Sequence, residues 1–211
     1  MPRCIDLAFA NRYSISLIDS NKLGRLNSND LAILTKKFYN DTYTRDQFGC
    51  SSPNSVFWLG KNNIAKKNFW FELSKIVNKK YDLDLSGANK KISNLMNHTL
   101  GKNKRFKANI KNFNLITLKS KKLSFDNFEN INFGTFLEIN LHDINHLRKY
   151  TSEKLQTVTY YGTEFKSIKK FIINNKIKGI DRIVPIGRAF DLTPEWDGVD
   201  IISTLSRTIG V

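Results

Sequence analysis

Asp46-Gln47-Phe48-Gly49-Cys50-Ser51-Ser52-Pro53, followed by Ser55-Val56-Phe57-Trp58-Leu59-Gly60, joins a helix-like segment to a short apolar run. Residues 55–59 read as a buried strand closed by Gly60. The Cys50 thiol therefore stands among small and polar residues in a helix-to-strand connection, where active-site groups commonly lie.

Working outward, Arg12-Tyr-Ser-Ile-Ser-Leu-Ile18 alternates Tyr13, Ile15 and Leu17 with Ser14 and Ser16, the period-two pattern of a strand with one buried face. Ser28 reads as the cap of a helix that carries Asp30 in its first turn and Leu31, Leu34 and Phe38 at helical spacing. Beyond Gly60, Ile64, Phe69, Leu73, Ile76 and Val77 give a second helix, and Leu85, Ala88, Ile92, Leu95 and Met96 repeat its spacing. Strands are expected around Ile110 to Ile116, at Leu137, Ile139 and Leu141, and at Val158 and Tyr160. Phe165, Ile168, Phe171 and Ile172 mark a helix that Gly179 ends, before a strand at Arg182–Ile186 and an amphipathic turn through Ile202 and Leu205. Strands and helices alternate, which predicts an α/β domain with helices on both faces of a mainly parallel sheet. No internal repeat, low-complexity linker or heptad run interrupts it.

The chain has 211 residues with 40% apolar and 12% aromatic content, enough for one ordinary core. It lacks an uninterrupted apolar run of about 18 residues, and Met1-Pro2-Arg3-Cys4-Ile5-Asp6 lacks the apolar stretch of a signal peptide, so a cytoplasmic protein without a membrane span is expected. The two cysteines, Cys4 and Cys50, are too few for a disulfide scaffold. A formal charge of +15 raises the alternative of a noncatalytic basic module for nucleic acid. The lysines are scattered in pairs, including Lys36-Lys37, Lys66-Lys67, Lys90-Lys91 and Lys121-Lys122, which is the pattern of a solvated basic surface.

A cysteine reacts as its thiolate and, with an ordinary pKa near ~8.5, needs N–H donors or a cation to be active at neutral pH. By itself a lone cysteine is more often an inert buried side chain. His142 and His146, four apart, mimic a metal pair, but no third ligand accompanies them and they read as surface or structural histidines, as does His98; no metal is expected. Trp196-Asp197-Gly198 reads as a turn, with the Trp ring as anchor, Asp accepting backbone bonds and Gly at positive φ.

The stretch Gln47 to Phe57 resembles the catalytic cysteine segment of the acyl-CoA reductase family typified by the fatty acid reductase of bacterial bioluminescence, within the aldehyde dehydrogenase superfamily. Gly179-Ile-Asp-Arg-Ile-Val-Pro-Ile-Gly187, Trp196-Asp197-Gly198 and Leu205-Ser206-Arg207 resemble that family's carboxyl end, and Leu155-Gln156-Thr157-Val158 fits the same register. The resemblance runs from Asn11 to Arg207, with a weakly matching middle.

It implies an aldehyde dehydrogenase-like catalytic domain in which Cys50 takes an acyl group from a fatty acyl-CoA or acyl-adenylate as a thioester, reduced by NADPH to a long-chain aldehyde. A reductase that stops at the aldehyde needs no base to activate water, which fits the lack of a carboxylate in the Ser14-Ile15-Ser16 strand. Glu138 lies about as far along the chain from Cys50 as the superfamily glutamate that binds nicotinamide ribose; the alternative is a solvent-facing strand carboxylate. The resemblance also implies an oligomer and an acyl-protein synthetase partner. Family members are about twice as long, and no glycine-rich dinucleotide fingerprint precedes Cys50. Residues 1–211 are thus expected to be the cysteine-bearing domain alone, with the dinucleotide-binding domain absent: one half of a split enzyme pairing with a separate cofactor-binding half, an isolated domain, or a decayed fragment.

Overall fold

Tyr13–Asp19 forms β1, the strand expected at this position, and it lies near the middle of the sheet. The computed structural model describes residues 5–7, 9, 11–100, 106–119, 131–207 and 209; Cys4, the signal-peptide reading of residues 1–4 and the Lys121-Lys122 pair lie outside them. After β1 come α1 (Ser20–Leu23), α2 (Ser28–Thr42), β2 (Pro53–Leu59), α3 (Asn63–Lys80) and α4 (Leu85–Thr99). The second half holds β3 (Lys107–Asn112), β4 (Leu115–Lys119), β5 (Thr135–Asn140), β6 (Leu155–Tyr161), α5 (Phe165–Asn174), β7 (Arg182–Pro185), β8 (Glu195–Trp196), β9 (Val199–Asp200) and α6 (Ile201–Leu205).

The main sheet has seven strands in the order β3-β4-β5-β2-β1-β6-β7, parallel throughout except for the edge hairpin β3-β4. Two cores lie on its two faces. Ile15, Leu17, Phe57, Leu137, Ile139 and Val158 meet Ile168 and Phe171 of α5 and Leu147 of a 3-10 segment, Ile144–Tyr150. Ile18, Val56, Trp58 and Phe136 meet Leu34 and Phe38 of α2 and Phe69, Trp70 and Leu73 of α3. The second core is aromatic: Phe38–Phe69, Trp58–Phe69 and Trp70–Phe136 centroids lie 5.2, 5.7 and 5.4 Å apart.

Both faces of β1 are covered, so the expectation of one buried face is corrected. Ser14 and Ser16 are fully buried, and their hydroxyls are satisfied inside the sheet, Ser16 Oγ by Thr159 Oγ1 at 2.7 Å. This is the usual condition of a parallel sheet sandwiched between helices. The α2 cap is Asn27, whose side-chain oxygen accepts the Asp30 N–H at 2.9 Å; Ser28 is the first helical residue. The segment Ile110 to Ile116 is two strands around a turn at Phe113-Asn114, with Ile110 and Phe113 exposed. On α4 the apolar stripe Leu85, Ile92 and Met96 is exposed while Lys91 is buried, its Nζ donating to the Phe133 carbonyl at 2.5 Å. α5 ends at Asn174, ahead of Gly179, and α6 is a single turn with Ile202 and Leu205 exposed. Among the described residues no helix is long and apolar enough to cross a membrane.

Candidate active site

The connection from α2 to β2 sits at the amino-terminal edge of the parallel strands, where β1 and β6 also begin. A 3-10 turn, Tyr43–Arg45, leads into Asp46 and Gln47, both left-handed at φ 52° and 62°. Neither is glycine, so neighbours must hold the conformation. Tyr81 donates its hydroxyl to Asp46 Oδ1 at 2.6 Å. The Gln47 carboxamide is buried and donates to the carbonyls of Thr135 (3.0 Å) and Pro53 (3.3 Å), while its oxygen accepts from Gly134 N–H (2.7 Å). Those bonds fasten the loop to the starts of β2 and β5.

Around Cys50 the loop closes with Ser52 N–H donating to Gly49 O at 2.8 Å. Ser14 Oγ donates to the Cys50 carbonyl at 2.7 Å and accepts Thr157 N–H at 3.1 Å, so one hydroxyl joins the cysteine to β1 and β6. Gly49 is required by close approach: a Cβ there would lie 2.7 Å from Phe190 Cε1. Asp41, at the end of α2, completes the support. Its carboxylate accepts from Gly187 N–H (2.6 Å) and Ala189 N–H (3.1 Å), and its carbonyl accepts from Ser52 Oγ (2.8 Å). Burial pushes the Asp41 carboxyl up to about 6, outweighing the two N–H bonds that pull it down.

The thiol itself is half-buried and accepts from Gln156 Nε2 at 3.4 Å. The same amide nitrogen donates to Asp197 Oδ1, which stands 3.8 Å from the Arg12 guanidinium, and Arg12 also pairs with Asp181. Arg182 interacts electrostatically with Cys50; its guanidinium is held by the carbonyls of Ala189 (2.8 Å) and Asp191 and lies 5.4 Å from the Trp196 ring centre. The thiol thus meets one oriented amide donor, and Arg182 is the cation in its electrostatic surroundings. Gln156 and Arg182 were legible only as parts of motifs, and Arg12, Asp41 and Phe190 carried no local signal as site residues.

Trp196-Asp197-Gly198 is the turn of the β8-β9 hairpin, with Asp197 and Gly198 at φ 52° and 76°. Among the described residues Asp197 accepts no backbone bond, contrary to the expectation. The hairpin folds back on the start of β6, and its carboxylate takes the Gln156 amide and Arg12 instead.

Glu138 is not brought to Cys50. It pairs with Val56 in register, well along β2 from the cysteine loop, and is 7% exposed, which excludes the solvent-facing alternative. Trp58 Nε1 donates to one carboxylate oxygen at 3.1 Å and Lys119 Nζ lies 3.5 Å from the other. His98 packs edge-on against Phe106, with centroids 5.6 Å apart.

The carboxyl edge of β1, β2 and β6 offers a dinucleotide no cradle. At the carboxyl edge, where parallel sheets bind pyrophosphate, Asp19 Oδ1 already accepts the N–H groups of Asn21 (2.8 Å) and Lys22 (3.2 Å) at the start of α1. The two left-handed glycines beside it are filled in, since added Cβ atoms would meet the Asn21 side chain at 2.7 Å from Gly60 and Lys22 Cβ at 2.8 Å from Gly162. A carboxylate where a phosphate needs donors, and side chains where it needs room, do not fit the group.

The family model described as acyl-CoA reductase (LuxC) matches residues 1–208. A comparison with curated proteins finds no match. Among solved structures, the NAD-dependent aldehyde dehydrogenase from Sinorhizobium meliloti aligns with a TM-score of 0.58 at 10% identity, over 88% of this chain and 39% of that one. Succinic semialdehyde dehydrogenase from Streptococcus pyogenes, in complex with NADP+, gives 0.55 at 14% identity over 88% and 42%. A point mutant of the 1-pyrroline-5-carboxylate dehydrogenase of Thermus thermophilus gives 0.56 at 10% identity over 83% and 36%. These likenesses establish the fold, and the chain spans less than half the length of each structure.

Proposed function

The chain belongs to the LuxC acyl-CoA reductase family, and on that premise we propose that it carries the acyl-accepting thiol of a fatty acyl-CoA reductase, with Cys50 as nucleophile. The observation that carries the reading is the Gln156 amide, 3.4 Å from Cys50 Sγ and oriented from behind by Asp197. Gln156 N–H stabilises the thiolate, with the Arg182 guanidinium as its counter-charge. The thiolate attacks the carbonyl carbon of an acyl-CoA, a C–S bond forms, and the carbonyl electrons move to oxygen. Collapse of that intermediate breaks the bond to coenzyme A, which leaves as thiolate and takes a proton from solvent, while the acyl group stays on Cys50 as a thioester. An acyl-adenylate would acylate the same thiol with release of AMP.

The family resemblance implies NADPH as reductant, and relatives of this fold are described as NAD-dependent or in complex with NADP+. The carboxyl edge around Asp19 does not fit a pyrophosphate; in this reading residues 1–211 act as the cysteine-bearing domain, and the nicotinamide is held on further residues or a separate half. A ribose role for Glu138 rests on the resemblance alone and would require its release from Trp58 and Lys119. An acyl-protein synthetase partner and oligomerisation rest on the same resemblance. A cytoplasmic setting, which keeps thiols reduced, suits the chemistry.

Intact-mass spectrometry after incubation with tetradecanoyl-CoA tests the proposal. A hydroxylamine-sensitive acyl adduct on the wild type that disappears in Cys50→Ser is expected. An adduct that persists in Cys50→Ser, or none on a folded wild type, overturns it.

A further inference from the structure

The loop after β5 holds a side-chain cluster that the acyl-transfer chemistry does not use. His142, Asp143 and His146 each offer one donor atom, and the three atoms lie within 4.8 Å of one another. Asp143 divides its carboxylate: Oδ1 accepts the Asn145 N–H at 2.7 Å and caps the 3-10 segment, leaving Oδ2 turned to the two imidazoles, 3.4 Å from His142 Nδ1 and 3.2 Å from His146 Nδ1. His146 Nδ1 is buried and has no partner in hydrogen-bond geometry, although Asp143 Oδ2 lies 3.2 Å away, so the nitrogen is left for a further ligand. The two ring centroids stand 5.6 Å apart with the planes at 58°.

From this arrangement we infer that His142, Asp143 and His146 form a binding site for a transition-metal dication of the Zn2+ class. Tetrahedral coordination at ~2.0–2.1 Å places donors roughly 3.4 Å apart, so the cluster needs only a small inward closure. The side chains have room to make it, being 77% (His142), 46% (Asp143) and 43% (His146) exposed. Two imidazoles and one carboxylate favour zinc, nickel, cobalt or copper over magnesium and calcium, which prefer all-oxygen shells. Arg148 and Lys149 line a cleft of about 440 Å³ with His146 and Asn145. Their charges disfavour a hard cation held by electrostatics alone but suit an anionic ligand completing the open coordination positions of a bound metal. The third ligand is the immediate neighbour of His142, so a search for spaced His, Cys, Asp or Glu beyond the pair overlooks it.

The test is a Co2+ titration of the untagged full chain with both thiols removed (Cys4→Ser, Cys50→Ser), read by the ligand-field absorption of the bound ion and by calorimetry. One equivalent is expected, with Zn2+ displacing it. His142→Ala, His146→Ala and Asp143→Asn should each weaken binding by at least about 10-fold, the lower end of what even outer-shell partners contribute, while His98→Ala leaves it unchanged. Metal-free thermal melts that match the parent chain show that the variants are folded. Absence of a stoichiometric site, or a site that survives His142→Ala/His146→Ala in a folded chain, overturns the assignment.

Discussion

At the residue scale the candidate site depends on one amide. Gln156 donates to the thiol, and it is aimed by Asp197 and Arg12. Replacing it with alanine should slow acylation of Cys50 by about 100-fold, the lower end of what removal of one preorganised donor costs. The rate of Cys50 alkylation by iodoacetamide at one fixed pH separates this role from a merely structural one: it should fall in a Gln156→Ala variant whose melting temperature matches the wild type. An unchanged rate would assign Gln156 to packing. Cys50 was legible because its neighbours form a contiguous motif. Gln156, Asp197 and Arg182 were legible as motif residues but not as its neighbours, because they reach the thiol from distant parts of the chain, and only the folded β6, β7 and β8-β9 hairpin bring them there.

At the element scale, the Gln47 carboxamide holds a strained loop in place. Its three bonds to Pro53, Thr135 and Gly134 stand in for the ladder that a continuous strand would provide. Gln47→Ala leaves those groups buried and unpaired, and urea unfolding should record a loss of about 2–4 kcal/mol. In the aromatic core, Phe38→Ala should cost about 3–5 kcal/mol by the same measurement, since Phe38 touches Phe69, Trp70 and Phe136 at once. Periodicity located the strands and helices well where burial follows side-chain polarity, as in β2, β5 and α5. It located α4 but not its inward face: Lys91 turns in to the Phe133 carbonyl while Leu85, Ile92 and Met96 are exposed and only Leu95 of the stripe packs on the core. It also missed the role of Ser14 and Ser16, whose polarity implied an exposed face but whose hydroxyls serve a sheet covered on both sides.

At the scale of the whole molecule, two buried charges bend the stability profile in opposite senses. Asp41 has its pKa raised to about 6 by burial, so its contribution is fully present below the ordinary aspartate value near 3.8 and is lost as pH rises through about 6. Lys91 has its pKa lowered to about 7 by burial, so its contribution is present above the ordinary lysine value of 10.5 and is lost as pH falls through about 7. Both groups are charged near pH ~6.5, where their combined contribution should be lowest. Melting temperatures taken from about pH 4 to 10 should show that Asp41→Asn removes a decline on the acid side worth up to about 3 kcal/mol, and that Lys91→Met removes a rise on the alkaline side. Variants with profiles parallel to the wild type would contradict this account.

The Ser14 hydroxyl that ties the cysteine loop to β1 and β6 also sets when the site can exist. Its bond to Thr157 spans 143 residues of sequence, and the bond from Gln156 to the thiol spans 106. Loop closure on that scale comes late in folding, after local contacts have formed. During synthesis the ribosome therefore releases Cys50 long before the residues that shape its surroundings, and the thiol has no finished environment until β6, β7 and the β8-β9 hairpin are in place.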